Sequence, residues 1–144
     1  MCDLRDHNAG LCHSPPPELG SAVLGSYDII PYQRKHRQAV FDLIFESANA
    51  HLHLDWYRSD EWLDMRDNIT LLAFNGEVLA GVLGISAPVG GTCWVRVLVI
   101  DDTMEHANVL PALWERVRAE LAQAQVQTAA ALLLEGWVSP HFYT

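Results

Sequence analysis

The dipeptide Asn75-Gly76, set between the apolar runs Ile69 to Phe74 and Glu77 to Ser86, constrains this chain more than any other feature. A short glycine-containing connection between such runs is a β-hairpin signal, because the turns that match strand twist need a positive φ. A second break at Pro88, Gly90 and Gly91 turns the chain back into Thr92 to Ile100. The expected product is a three-stranded antiparallel meander covering Asn68 to Ile100. Alternation along its last strand places Val95, Val97 and Val99 on one face, and Trp94, Arg96, Leu98 and Ile100 on the other.

The flanking sequence reads as helices and further strands. Tyr27 to Ile30 is a short strand ended by Pro31, a residue suited to opening a helix. From Gln33 to about Ala50, Val40, Leu43 and Ile44 form one stripe opposite Arg34, Lys35, Arg37 and Gln38, the pattern of an amphipathic helix. His51 to Arg58 is a connector, and Ser59 is the expected N-cap of a short acidic helix running to Leu63. After the polar stretch Asp101 to Ala107, Asn108 is the expected N-cap of a helix carrying Leu110, Leu113, Val117 and Leu121, with Pro111 in its first turn. Ala129 to Leu134 reads as a buried strand, and helix followed by strand implies a parallel crossover. Ser139-Pro140 opens another helix, which the end at Thr144 cuts short. The expectation is one α/β (α+β) domain over residues 27–144, a mixed, mostly antiparallel sheet flanked by helices. Residues 1–26, with Ser14-Pro15-Pro16-Pro17 and Gly10, Gly20 and Gly25, read as a flexible tail.

With 144 residues, half of them hydrophobic, the chain can bury a core without disulfide staples. Its net charge of −9, from 18 acidic and 9 basic side chains, disfavours nucleic acid and anionic membranes as partners. Cys2, Cys12 and Cys93 are an odd and sparse set, which argues against a disulfide framework. No apolar run reaches the ~20 residues of a membrane span, and the N-terminus lacks the form of a signal peptide. The expected compartment is a reducing cytoplasm.

The order strand, helix, short helix, three antiparallel strands, helix, strand resembles the GNAT superfamily of acyl-CoA-dependent N-acetyltransferases. Local pieces are similar too. They are Ile29-Ile30-Pro31-Tyr32 followed by Arg37-Gln38-Ala39-Val40, the hairpin from Leu71 through Asn75-Gly76 to Gly81, and Ser139-Pro140-His141-Phe142-Tyr143. The resemblance runs from about Tyr27 to Thr144 and lacks the family's last two strands. It implies acetyl-CoA as co-substrate and a small-molecule or peptide amine as acceptor. The pantetheine arm would pair with the backbone of Leu98, Val99 and Ile100, and the pyrophosphate would sit on the helix start at Asn108, Val109 and Leu110. Tyr143 matches the position that protonates the leaving thiolate. The resemblance also leaves the edge of the strand at Ala129 to Leu134 bare, open to pairing with a second copy as a homodimer.

At the pyrophosphate loop the sequence departs from the family. Glu105-His106-Ala107-Asn108-Val109-Leu110 contains no glycine, an acid stands where a cation or Gln is usual, and Asp101 and Asp102 lie just upstream. Each carboxylate near a pyrophosphate costs roughly 1 kcal/mol in a partly exposed setting. The alternative reading is therefore a catalytically degenerate GNAT-like module that binds a small ligand or a protein.

Other constellations carry two readings each. His51, His53 and Asp55 alternate and could share a metal, or form a surface connector before Trp56. Cys2, His7, Cys12 and His13 are a second, irregularly spaced metal tract, although no metal is expected. Trp56 and Trp62, beside Asp55, Asp60, Glu61 and Asp64, would make an aromatic, acidic acceptor pocket or merely a solvated helix edge. Arg96 pairs with an acid or lines the cleft, and Glu77 is a solvated hairpin residue.

Overall fold

The computed structural model describes residues 26–53 and 58–131. In chain order these form β1 (Asp28–Pro31), a 3-10 turn (Arg34–His36), α1 (Arg37–Glu46), β2 (His51–Leu52), α2 (Ser59–Leu63), β3 (Ile69–Asn75), β4 (Val78–Ile85), β5 (Thr92–Ile100), α3 (His106–Gln123) and β6 (Thr128–Ala130). The sheet runs β1-β3-β4-β5-β2 with antiparallel neighbours, and β6 adds to β5 in parallel. The mixed, mostly antiparallel sheet and the parallel crossover are as expected.

The β3–β4 hairpin forms with its turn shifted by one residue. Asn75 pairs with Val78, so Gly76 and Glu77 are the central residues and Gly76 has φ +63°. A glycine with positive φ in the first central place suits a type II′ turn.

α3 covers one face, where Val109, Leu110, Leu113, Val117 and Leu121 pack on Leu71, Ala73, Leu83, Val95, Leu98 and Ile100. α1 and α2 cover the other, where Val40, Leu43, Ile44, Trp62 and Leu63 pack on Leu72, Val82, Val97 and Val99. Val95 is thus on the opposite face from Val97 and Val99, against strict alternation. The cause is a β-bulge: Ile85 opposes Val95 while Gly84 opposes Val97, so Arg96 is an extra residue.

Several expected boundaries move. Pro31 stays in β1, opposite Leu71, because an edge strand tolerates a missing N–H; the helix waits for a Gln33 cap. α1 stops at Glu46, short of Ala50. Arg58, rather than Ser59, takes the N-cap of α2. α3 begins at His106, with Glu105 rather than Asn108 as its N-cap, so Pro111 lies beyond the first turn. Its C-terminus closes with Gln125 at φ 55°, while Gln125 N–H donates to the Ala122 carbonyl and Val126 N–H to the Leu121 carbonyl. That pair of bonds is a Schellman motif without its usual glycine. Strand residues expected beyond Ala131, the Ser139-Pro140 helix and the tail lie outside the described residues.

Candidate functional site

The outer edge of β5 has two different neighbours. Among the described residues, β6 pairs with Thr92, Cys93 and Trp94. Beyond Trp94 comes the bulge at Arg96, in the pairing of β5 with β4 on its other side. Among the described residues, the backbone edge of β5 from Arg96 to Ile100 is therefore not paired with β6.

Residues expected to be a mere connector fill that edge. His51 lies opposite Leu98 and Leu52 opposite Val97, as the two-residue strand β2. His53 N–H donates to the Arg96 carbonyl at 2.7 Å, and Ser47 Oγ reaches the Ile100 carbonyl at 3.5 Å. The Ala48 N–H donates to Asp102 Oδ2 at 2.9 Å. His53 also lies with Nδ1 2.6 Å from Arg96 Nη1 and stacks on Trp94 at a ring separation of 5.9 Å. Burial, then the neighbouring His53, lower the pKa of His51, against a hydrogen bond with the Val95 backbone that raises it. Sequence reasoning missed β2 because two residues are too few to show a period; the alternating His51-Leu52-His53 was its only trace.

Contacts to Arg96 place a guanidinium beside His53, where a metal would need that imidazole free of a cation. Among the described residues no three His, Cys, Asp or Glu side chains converge on a metal position. Asp55, Cys2, His7, Cys12 and His13 lie outside the described residues. Cys93 is buried, and burial raises its thiol pKa, which makes it a poor nucleophile.

At the start of α3, one carboxylate and two backbone carbonyls take N–H groups that an anion would use. Asp101 Oδ1 accepts from the Thr103 N–H, and the Asp101 carbonyl from the Met104 N–H. The Asn108 and Val109 N–H groups both donate to the Glu105 carbonyl, inside the helix. Val109 and Leu110 bury their side chains in the core at 0% and 4% exposure. Asn108, Val109 and Leu110 therefore lie inside the first turns of α3, which begins upstream of them at His106.

Beside β5, a cleft of about 370 Å³ is lined by Trp62, Met65, Asn68, Ser86, Trp94 and Arg96 among others. Trp62 itself is a core residue lying over Gly84. The acids expected beside it go elsewhere: Asp64 accepts from Tyr32 Oη at 3.0 Å and pairs with Arg37. Among the described residues the charged side chain on this cleft is Arg96, not a carboxylate.

This mixed sheet with its flanking helices has counterparts among solved structures. An acetyltransferase of the GNAT family from Staphylococcus aureus superposes with a TM-score of 0.63 at 14% identity, covering 82% of this chain and 80% of its own. The ribosomal-protein-S18-alanine N-acetyltransferase of Escherichia coli gives 0.62 at 14% identity, covering 77% and 69%. A PaiA N-acetyltransferase from Thermoplasma acidophilum, in complex with coenzyme A, gives 0.63 at 13% identity, covering 82% and 86%. This chain has the GNAT fold. By sequence, no family model and no curated protein matches it.

The GNAT fold implies coenzyme A, and the two ends of that molecule meet different surroundings here. An extended arm with amide groups suits the backbone edge of Arg96 to Ile100 in kind, but β2 and the residues before it fill that edge. A pyrophosphate does not fit the α3 start, where Asp101, Asp102 and Glu105 stand and the N–H groups of Thr103 and Met104 are spent on Asp101. Tyr143 lies outside the described residues. Among the described residues no helix is long and apolar enough to cross a membrane.

Proposed function

We propose that this chain is a GNAT-fold N-acyltransferase that takes an acyl thioester along the outer edge of β5 and passes the acyl group to an amine. The observation that supports the reading is the edge of β5 from Arg96 to Ile100, which among the described residues β6 does not pair and only the two-residue β2 covers. The cleft of Trp62, Met65 and Trp94 gives the amine a route to that edge and suits an acceptor with an apolar body. Acetyl-CoA is the donor proposed, held by its arm rather than by its pyrophosphate. Tyr143 is assigned the proton-donor role, with Tyr143→Phe as its check. Calorimetry with acetyl-CoA, followed by thiol release in the presence of an amine panel, tests the reading.

The second reading, a GNAT-fold module without catalysis, rests on the acidic start of α3 and the filled edge. Absence of heat up to millimolar acetyl-CoA, in the full chain and in a Glu105→Arg variant, would favour it over the first.

A further inference from the structure

Residues 47–53 hold the position that an extended ligand on β5 would take. Their contacts repeat what such a ligand would make: a donor to the Arg96 carbonyl, a pairing at Leu98 and a donor to the Ile100 carbonyl. The segment is tethered at both ends of the edge, by Ala48 N–H on Asp102 and by His53 on Arg96 and Trp94. Its ladder is nevertheless minimal. Two residues pair with β5, against the seven of β3 and eight of β4 that make the central hairpin. Leu52 and Ala50 rest on the core only as partly buried side chains. A pairing this short is the part of the sheet that opens at least cost.

We infer that residues 47–53 are an intramolecular competitor for the donor edge, so that the closed state seen here must release β2 from Leu98 before a thioester arm can bind. This rests on the acyltransferase reading and adds its regulation. The apparent affinity for donor is then the intrinsic affinity multiplied by the open fraction, so a strap closed in 99 molecules of 100 weakens binding about 100-fold. The acceptor side is tied to the same event. Arg96 and Trp94 line the acceptor cleft and also hold His53, so release of the strap changes both sites together.

The test compares three forms of the full chain. His53→Pro removes the donor to the Arg96 carbonyl and favours the open state. Leu52→Cys with Val97→Cys, at positions opposite in register, locks the strap shut when oxidised and frees it when reduced. Binding of acetyl-CoA and of acetyl-pantetheine, which lacks the nucleotide, is measured by calorimetry. Amide exchange of residues 96–100 reports the state of the edge without any donor.

The expected result is tightening of about tenfold or more in His53→Pro, with faster exchange of the edge. The oxidised double-cysteine form should lose binding and recover it on reduction. Equal affinity of the locked and wild-type forms overturns the inference while leaving the donor reading intact. Failure of every form to bind either thioester, with the edge of His53→Pro exchanging fast, overturns the donor reading and the inference with it.

Discussion

A methyl group at Gly84 tests the packing that shapes the bulge. A Cβ there would stand 2.5 Å from Trp62 Cη2, 2.5 Å from Val97 Cγ1 and 3.0 Å from Trp62 Cζ3. Ordinary carbon contacts lie at about 3.5–4.0 Å, so two of these are short by about 1 Å. The methyl cannot retreat, because β4 is paired to β3 on one side and β5 on the other. The indole must therefore lift, along with the five-residue helix that carries it. Overpacking of this kind costs about 1–3 kcal/mol. We expect Gly84→Ala to cost about 2 kcal/mol, since two neighbours and not one must give. Urea unfolding should show it as a midpoint lower by about 1 M, for a slope near 2 kcal/mol/M. Repeating the substitution in a Trp62→Leu background, which deletes both ring atoms, should cut the cost by at least ~1 kcal/mol. An unchanged midpoint in the wild-type background, or an equal drop in both, would refute the close contact of Trp62 with Gly84.

Three other substitutions probe separate features. Thr70 is 7% exposed and its hydroxyl has no hydrogen-bond partner, so Thr70→Val should raise stability by about 1 kcal/mol in thermal or urea melts; a loss would show that the hydroxyl is satisfied in solution. Gln125→Gly should stabilise by about 0.5–1 kcal/mol by relieving the left-handed backbone at the end of α3, and a destabilised variant would argue that the motif does not close. His51 has a folded-state pKa below its ordinary 6.5, so the folded chain takes up fewer protons than the unfolded one as pH falls. That contribution is full above 6.5 and is lost as pH drops through the folded value. Stability measured between pH 7.5 and 5 should therefore fall on acidification, and the fall should be shallower in His51→Gln.

The meander was legible because its signals are local: the Gly76 turn, the glycines before Thr92 and the apolar runs between them. The α3 stripe of Leu110, Leu113, Val117 and Leu121 was legible for the same reason, as its spacing matches one helical face. What sequence alone did not reveal depends on pairing between distant segments. The Arg96 bulge is a matter of register against Gly84 and leaves no mark in β5 itself. Strand β2 exists only because Leu98 and Val97 offer an edge to it. The start of α3 was misplaced because Asn108 is the stronger capping residue by type, whereas Glu105 has the extended backbone that ends the loop. The side chain of Leu110, a residue the family resemblance sets at the pyrophosphate, packs in the core. The acids of the loop are visible in the sequence, but their partners are not: Asp101 accepts from the Thr103 N–H and Asp102 from the distant Ala48 N–H.

The strand order places β1 and β2, which flank α1 in the chain, at opposite edges of the antiparallel path. The ten residues of α1 are about 15 Å long, and four strand spacings measure about 19 Å. The helix with its two short connectors, residues 32–36 and 47–50, thus carries the chain from one edge of the sheet to the other. Neither edge strand has anything to pair with until the meander exists, so both must dock after it, and they dock as a coupled pair. We expect φ-values near zero at Ile29 and Leu52 and high ones at Leu83, measured from folding kinetics; the reverse order would mean that α1 nucleates the fold. Deleting one residue between Ser47 and Ala50 would pull β2 along β5 by about 3.3 Å and turn its side chains to the wrong face. The width of the sheet, set by three strands that never touch α1's ends in sequence, thereby dictates how far the strap can reach.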